Sequence, residues 1–208
     1  MSWILPLFFG YVLGSLNPSA LISRLKKKDL RNMGTGNLGA TNTALNFGKT
    51  MGALVMLFDI AKSALAVLIA NILFPESAIL SGMLAGGAAV IGHMFPFYMK
   101  FKGGKGLAAY GGMILTLSPD IFIFLFCLGI LSMVIFKRGV ALTISAALLF
   151  PSLVAFKYYN VTLALISALI SAILILRHAD NIMKARKNED LGIRYFFKKV
   201  FGKEENSG

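Results

Sequence analysis

The sequence predicts an all-α, polytopic membrane protein with about seven transmembrane helices and with re-entrant or amphipathic loops on its cytoplasmic side. Hydrophobic residues make up 57% of the 208 positions, whereas a soluble domain is about 45–50% apolar. The mean hydropathy is correspondingly high, at +0.74. Apolar runs alternate with short polar segments, and the lysines and arginines behind the net charge of +12 cluster in those segments. Such clusters are typical of loops that orient membrane spans.

The same composition excludes several classes of protein. The cations do not indicate nucleic-acid binding, because they lie between apolar runs and no soluble domain remains to carry a reading element. The single cysteine, Cys127, has no intrachain disulfide partner. The two histidines are far apart in the sequence, so no metal cluster is predicted, and no organic cofactor is expected.

The first three spans follow directly from the apolar runs. The first run covers residues 3–22 and is followed by basic residues, so the positive-inside rule places its end in the cytoplasm and the N-terminus outside. It lacks a basic segment before it and a small-residue cleavage site, which predicts a retained span rather than a signal peptide. The second run covers about 51–74, and the third covers about 78–99.

Residues 107–136 decide the number of spans. They form one long helix or two spans broken at Ser118-Pro119-Asp120, since proline is favoured at helix starts and disrupts helix interiors. With the break, the later cationic clusters all face the cytoplasm, which favours two spans. The fourth span, about 106–117, is then shorter than the ~20 residues that lipid exposure requires. We expect it to be tilted, shielded by neighbours or extended into the glycine motif before it.

Two further runs, about 140–156 and 161–176, complete the seven spans. The sequence therefore predicts an integral membrane domain at 1–183 and a basic cytoplasmic tail at 184–208, with the C-terminus inside. The tail is partly amphipathic and suits a membrane surface.

The stretch 101–106, here called the glycine loop, lies where one apolar run ends and the next begins. Gly103, Gly104 and Gly106 allow backbone amides to approach an anion, and Lys105 adds a point charge. The start of the following helix contributes a partial positive charge. The pattern predicts phosphate binding, and a glycine turn with lysines that only set topology remains the alternative.

Two other polar segments fall on the same predicted face. The asparagine loop, residues 34–42, formally matches a dinucleotide fingerprint, but the strand and βαβ context of that fingerprint are absent. We predict instead that the loop offers amides, hydroxyls and carboxamides to a polar substrate group, the alternative being a capped re-entrant turn. Its candidate residues are Thr35, Gly36, Asn37, Thr41 and Asn42. The third segment ends the last span, where His178 and Asn181 share a helical face beside Arg177.

Ionisable residues also occur inside the apolar runs. Asp59 and Lys62 are three residues apart and costly in lipid, so they are expected to face the bundle interior as a structural pair or as support for the site. His93 is expected to be a hydrogen-bonded interior histidine.

Four segments together carry a family resemblance: GSLNPSALISRL, GTGNLGATN, GHMFPFYMKFKGGKG and RHADNI. In this order they resemble the motifs of the bacterial membrane glycerol-3-phosphate acyltransferases that use acyl phosphate as donor. The resemblance spans nearly the whole chain. It implies a seven-span enzyme of the inner membrane that acylates the 1-hydroxyl of sn-glycerol 3-phosphate, giving lysophosphatidic acid and phosphate. Its implied partners are these two substrates and membrane lipid.

The resemblance assigns roles residue by residue. Lys105, His178 and Asn181 fall at the family's catalytic positions. The substrate phosphates are assigned to the asparagine loop and to the three glycines around Lys105, with Thr35 standing where the family usually has serine. Departures also occur: Leu45 replaces an arginine that helps to hold glycerol phosphate, and Arg138-Gly139-Val140-Ala141 replaces an arginine-tyrosine-x-serine segment. Thr143 and Ser145 are further candidates near that second departure.

Transfer from an acyl phosphate needs little covalent help from the protein, because the mixed anhydride already carries a good leaving group. No Ser-His-Asp constellation is evident, so no acyl-enzyme is predicted. The hydroxyl proton is expected to pass to the donor's phosphate, with His178 as the second candidate base. Three alternatives remain: a divergent paralogue acylating another polyol phosphate, a transporter for a small phosphorylated anion, and a noncatalytic lipid-binding protein.

Overall fold

The structure is a computed structural model that describes residues 3–187, 195 and 198–200. The regular structure in these residues is helical. The α-helices are α1 Ile4–Ser15, α2 Pro18–Leu25, α3 Ala40–Phe47, α4 Lys49–Leu73, α5 Ala78–Met94, α6 Leu107–Leu117, α7 Pro119–Phe136, α8 Gly139–Tyr158, α9 Val161–Arg177 and α10 Ala179–Arg186. Short 3₁₀ turns occur at Leu30–Asn32, Pro75–Ser77 and Phe97–Met99.

These helices form an integral membrane bundle, which confirms the predicted fold class. The described residues contain five helical segments that are long and apolar enough to cross a bilayer: Ile4–Leu25, Lys49–Leu73, Pro75–Met99, Pro119–Phe136 and Gly139–Tyr158. The pair α9 and α10, bent by 54°, supplies a sixth, and the shorter apolar helix α6 brings the number to seven. Seven is therefore an approximate count, because α6 is too short to span alone.

The first predicted span is present at Ile4–Leu25, and it contains a short break between two helices. Helix α1 ends at Ser15 and α2 begins at Pro18. The Asn17 side chain accepts a hydrogen bond from the Ala20 amide at 2.9 Å, so it caps α2. An asparagine cap followed by proline in the first turn starts a new helix, so α2 begins directly after the break.

Small residues allow the helices to approach closely, as is common inside membranes. A Cβ on Gly14 of α1 would lie 2.1 Å from the Ala89 carbonyl oxygen of α5. A Cβ on Gly112 of α6 would lie 2.2 Å from the Ile60 carbonyl oxygen of α4. Helix α6 therefore packs closely against its neighbours. This packing is the shielding from lipid that was one of the expectations for so short a span.

The break at Ser118 is present as predicted, with α6 ending at Leu117 and α7 beginning at Pro119. Lys157, at the end of α8, donates to Asp120 Oδ1 at 2.5 Å and to Ser118 Oγ at 2.7 Å. These charged groups lie where α6 and α8 end, whereas the glycine loop precedes the start of α6. The division of the chain at 183 stays a prediction, and most of the predicted tail, 184–208, lies outside the described residues.

Candidate functional site

Lys105 of the glycine loop and Asn181 of α10 are in direct contact. Lys105 Nζ donates a hydrogen bond to Asn181 Oδ1, and the lysine is half-buried. Helix α9 ends at Arg177 and α10 begins at Ala179, so the 54° bend between them carries Asn181 over the loop. Two of the three segments predicted from the sequence therefore meet around one ammonium group.

Arg177 makes a second link between the same segments. Its Nη2 donates to the carbonyl oxygens of Gly103 at 3.2 Å and Gly104 at 3.1 Å. The guanidinium also lies 5.3 Å from the centre of the Phe95 ring, within cation–π range. The sequence placed this arginine beside His178 but gave no signal for its partners, because they lie more than seventy residues away in the chain.

The amides of the first two glycines of the loop are used within the protein, and their contact with a substrate phosphate stays a prediction. The Gly103 amide donates to the Met94 carbonyl and the Gly104 amide donates to the His93 carbonyl, each at 3.1 Å. These amides are therefore already used at the end of α5. A Cβ on Gly103 would lie 2.1 Å from the His93 carbonyl oxygen, and a Cβ on Gly104 would lie 2.1 Å from His93 Nε2. Glycine is required at both positions for close packing.

The groups that remain for an anion are the Lys105 ammonium and the start of α6. Gly106 precedes that helix with a φ of +90°, a left-handed conformation that favours glycine. The first amides of α6 have no partner within the helix, and its dipole favours negative charge at this end. The predicted anion binding by the glycine loop therefore narrows to Lys105 and Gly106.

Burial and neighbouring cations disfavour the charged forms of both Lys105 and His178. Burial lowers the pKa of Lys105 below its ordinary value of 10.5, and nearby Lys184 and Arg177 lower it further, while Asp180 opposes them. Burial likewise lowers the pKa of His178 to about 4, with Lys105 and Arg177 adding to the shift. His178 Nδ1 donates to the Leu174 carbonyl at 2.9 Å, so the neutral ring keeps its lone pair on Nε2.

Asn42 holds the asparagine loop together from inside. Its fully buried side chain donates to the carbonyls of Leu30 at 2.9 Å and Met33 at 3.0 Å, and it accepts from the Thr35 amide at 2.8 Å. These bonds occupy the carboxamide that was predicted to contact a substrate phosphate. They give Asn42 the part of shaping the loop.

The rest of the asparagine loop lies beside the glycine loop. The Leu38 carbonyl oxygen would be 2.9 Å from a Cβ on Gly104, so the two loops touch there. Thr35, Gly36 and Thr41 are exposed and Asn37 is half-buried. Their accessibility is compatible with substrate contacts, which stay predictions.

The two further candidates lie in α8. Ser145 donates to the Ala141 carbonyl at 2.9 Å and contacts Ser132 Oγ at 3.1 Å, so its hydroxyl links α8 to α7. Thr143 is buried in the same helix. Among the hydrogen bonds of the described residues, none joins either side chain to Lys105, and their assignment to the site stays a prediction. The described part of the chain also holds no cluster of three metal-ligating side chains.

The predicted interior pair is present. Asp59 and Lys62 of α4 are buried and form an ion pair at 2.7 Å, which confirms that they face the bundle interior. His93 of α5 is also buried and bonded to this pair.

Comparison with known proteins gives one consistent family. A family model described as glycerol-3-phosphate acyltransferase matches residues 4–188. The chain is similar to the glycerol-3-phosphate acyltransferase of Aquifex aeolicus, at 39% identity over 176 residues, which is 84% of this chain and 90% of that protein. It is also similar to that of Thermosipho melanesiensis, at 35% identity, covering 96% of this chain and 98% of that protein.

Two solved structures share the fold. One is a crystal structure of PlsY, an integral membrane glycerol 3-phosphate acyltransferase, in its glycerol 3-phosphate form. It matches with a TM-score of 0.85 at 32% identity, covering 93% of this chain and 96% of that chain. The lysophosphatidic acid form matches with a TM-score of 0.81 at 30% identity, covering 91% and 94%.

Proposed function

The chain belongs to the glycerol-3-phosphate acyltransferase family, and on that premise we propose that it transfers a fatty acyl group from acyl phosphate to the 1-hydroxyl of sn-glycerol 3-phosphate. The products are lysophosphatidic acid and inorganic phosphate. The observation that carries the proposal is the contact between Lys105 and Asn181, beside a neutral His178. It supports a single site that holds a phosphate and accepts a proton.

The reaction needs one bond formed and one broken. The hydroxyl oxygen of the acceptor attacks the acyl carbon, the ester bond forms, and the bond between that carbon and the bridging phosphate oxygen breaks. The electron pair leaves with the phosphate, which takes up the hydroxyl proton directly or through His178 Nε2. We infer no covalent acyl-enzyme, because the leaving group is already good and the site's contribution is to bind and orient two anions.

Each residue then has a defined part. Lys105 and the start of α6 attract a phosphate group and stabilise the charge that develops on it. Asn181 holds the Lys105 ammonium in place, and Arg177 fixes the glycine loop through its two carbonyl contacts. The asparagine loop closes the adjoining side and is proposed to bind the second substrate.

The proposed orientation in the membrane follows from the distribution of charge. The basic segments after α2, before α6 and after α9 alternate with the ends that carry Glu76 and Asp120. By the positive-inside rule the site faces the cytoplasm, with the N-terminus outside. The family resemblance implies the inner membrane of a bacterium as the location.

The test is an assay of the full chain in detergent with palmitoyl phosphate and labelled glycerol 3-phosphate. We expect labelled lysophosphatidate, abolished in Lys105→Ala and retained in Lys102→Ala, which removes an exposed cation from the same loop. Palmitoyl-CoA in parallel tests the donor, and uptake into vesicles tests transport. Product from the thioester alone, or uptake without product, would contradict the proposal.

One residue supports a second candidate, the acylation of a different polyol phosphate. Leu45 stands at the position of an arginine expected to hold glycerol phosphate, and it is buried in α3 with 8% of its surface exposed. Competition of unlabelled polyol phosphates against labelled glycerol 3-phosphate separates the two acceptors. Preference for another acceptor, reversed in Leu45→Arg, would favour this second candidate.

A further inference from the structure

A buried ionic network lies beneath the glycine loop. Lys62 Nζ contacts Asp59 Oδ1 at 2.7 Å, the Leu16 carbonyl at 2.7 Å and His93 Nδ1 at 2.8 Å. The three side chains are each no more than 4% exposed. Ionisable groups at this depth are costly unless they are fully paired, and they usually serve a function.

The protons of this network can be assigned by counting donors and acceptors. A lysine ammonium has three protons and no acceptor, and Lys62 faces three partners. The carboxylate and the carbonyl can only accept. His93 Nδ1 lies 3.2 Å from Asp59 Oδ1 but only 2.8 Å from the Lys62 ammonium. The shorter contact favours a lone pair on Nδ1 that accepts the third proton of Lys62. The neutral imidazole of His93 then carries its own proton on Nε2.

The Nε2 side of that ring faces the glycine loop. Nε2 lies 2.1 Å from the position that a Cβ on Gly104 would take, so the ring packs directly against this residue. The Gly104 amide also donates to the His93 carbonyl at 3.1 Å. Gly104 directly precedes Lys105, so the place of the ring determines the place of the lysine's backbone.

The same network also reaches the asparagine loop. Lys62 binds the Leu16 carbonyl at the break of the first span, and the next residue, Asn17, donates to the Leu38 carbonyl at 3.4 Å. That carbonyl lies 2.9 Å from the same would-be Cβ of Gly104. His93 and the asparagine loop therefore touch the glycine loop at one point.

We propose that Asp59, Lys62 and His93 form a positioning network that fixes His93 with its proton on Nε2 and thereby holds the glycine loop, and so Lys105, in register for phosphate binding. None of the three is a catalytic residue, because they act through Gly104. The inference rests on the proposed function for its effect on turnover, whereas the proton position of His93 is independent of that function.

The first arm of the test is nitrogen NMR of full-length protein in lipid, labelled at histidine. The chain has two histidines, and the structure places their protons on different nitrogens. We expect two neutral rings at pH 7, with the proton on Nε2 in His93 and on Nδ1 in His178. A His93 proton on Nδ1 in the wild type would overturn the proposal, whatever the activity.

The second arm measures turnover in variants. Lys62→Met alone leaves a buried carboxylate unpaired, so the Asp59→Asn/Lys62→Met double variant keeps the fold measurable by thermal unfolding. In the single and the double variant alike, the proton of His93 should no longer be confined to Nε2. We expect kcat/KM to fall about tenfold to a hundredfold, as it does when a positioned group is displaced by about 1 Å. Tyr110→Phe removes a buried hydrogen bond to Ser171 elsewhere in the bundle and should not change kcat/KM.

Two substitutions of His93 separate positioning from simple packing. His93→Gln places an amide N–H near the former Nε2, whereas His93→Asn retains a polar atom only near the former Nδ1. We expect the glutamine variant to keep most of the activity and the asparagine variant to lose it at equal thermal stability. Equal activity in His93→Gln and His93→Asn would overturn the proposal. So would an unchanged kcat/KM in Asp59→Asn/Lys62→Met, if NMR shows that the proton of His93 has left Nε2. An inactive wild type with the expected proton positions would instead refute the proposed function.

Discussion

Replacement of Lys105 by methionine removes the charge of the site while keeping the length of the side chain. At an effective dielectric constant of about 20, two unit charges 4 Å apart attract by about 4 kcal/mol. Loss of one preorganised donor to developing negative charge costs about 2.7–4 kcal/mol in comparable sites. Because Lys105 is half-buried and bonded to Asn181, the site is close to these conditions. At 1.36 kcal/mol per tenfold change, we expect kcat/KM to fall by about 10²–10³-fold.

The assay is initial-rate formation of lysophosphatidate by purified protein, with both substrates varied. Lys102→Met is the matched control, since it removes an exposed cation three residues earlier, and it should change kcat/KM by less than about twofold at moderate salt. Asn181→Ala should lower the rate too, and the double variant should be no worse than Lys105→Met, because Asn181 acts through Lys105. A fall of less than about fivefold in Lys105→Met, at unchanged thermal stability, would refute the assignment of its charge to the transition state.

Three other predictions concern pH, helix packing and the asparagine loop. Because burial lowers the pKa of Lys105 below 10.5, its ammonium group loses a proton at a lower pH than an exposed lysine does. In the pH profile of the wild type, kcat/KM should therefore fall as the pH rises through this pKa. Lys105→Arg should not show this alkaline fall. Gly14→Ala places a Cβ 2.1 Å from a backbone oxygen and should lower the free energy of unfolding by about 1–3 kcal/mol. In the control Gly139→Ala the added Cβ has no atom within 4 Å, and the free energy of unfolding should not change. Thermal unfolding in detergent measures both. Asn42→Ala removes the side-chain bonds that join this residue to Leu30, Met33, Thr35 and Asn46. It should speed amide hydrogen exchange over residues 30–36, and unchanged exchange would contradict its shaping role.

Much of the membrane architecture could be predicted because it depends on local signals. Proline after serine at position 118 and the positions of the basic clusters were enough to divide residues 107–136 correctly. The break in the first span has an equally local signal, the Asn17-Pro18 pair, which the division into apolar runs does not use. A cap residue followed by proline should count even inside an apolar run.

The site was only partly predictable. Lys105 and Asn181 could be placed on one face from topology, and the structure brings them into contact. The amides of Gly103 and Gly104 could not be assigned, because their carbonyl partners at the end of α5 depend on the path of the loop. The sequence suggests that a glycine allows close approach, but it does not say what approaches.

The buried network shows the same limit. Asp59 and Lys62 are three residues apart on one helix, so their pairing was visible in the sequence. The contact of Lys62 with His93 joins positions 31 residues apart on two helices, and no local pattern indicates it. Long-range partners of this kind follow from tertiary packing alone.

Donor choice is the most direct test of the proposed reaction. Purified protein is given labelled glycerol 3-phosphate with either palmitoyl phosphate or palmitoyl-CoA, and lysophosphatidate and released phosphate are measured together. We expect product only with the acyl phosphate, one phosphate released per acyl group transferred, and no label retained on the denatured protein when the acyl chain carries it. Product from the thioester alone, or an acyl group bound covalently to the protein during turnover, would contradict direct transfer at the Lys105 site.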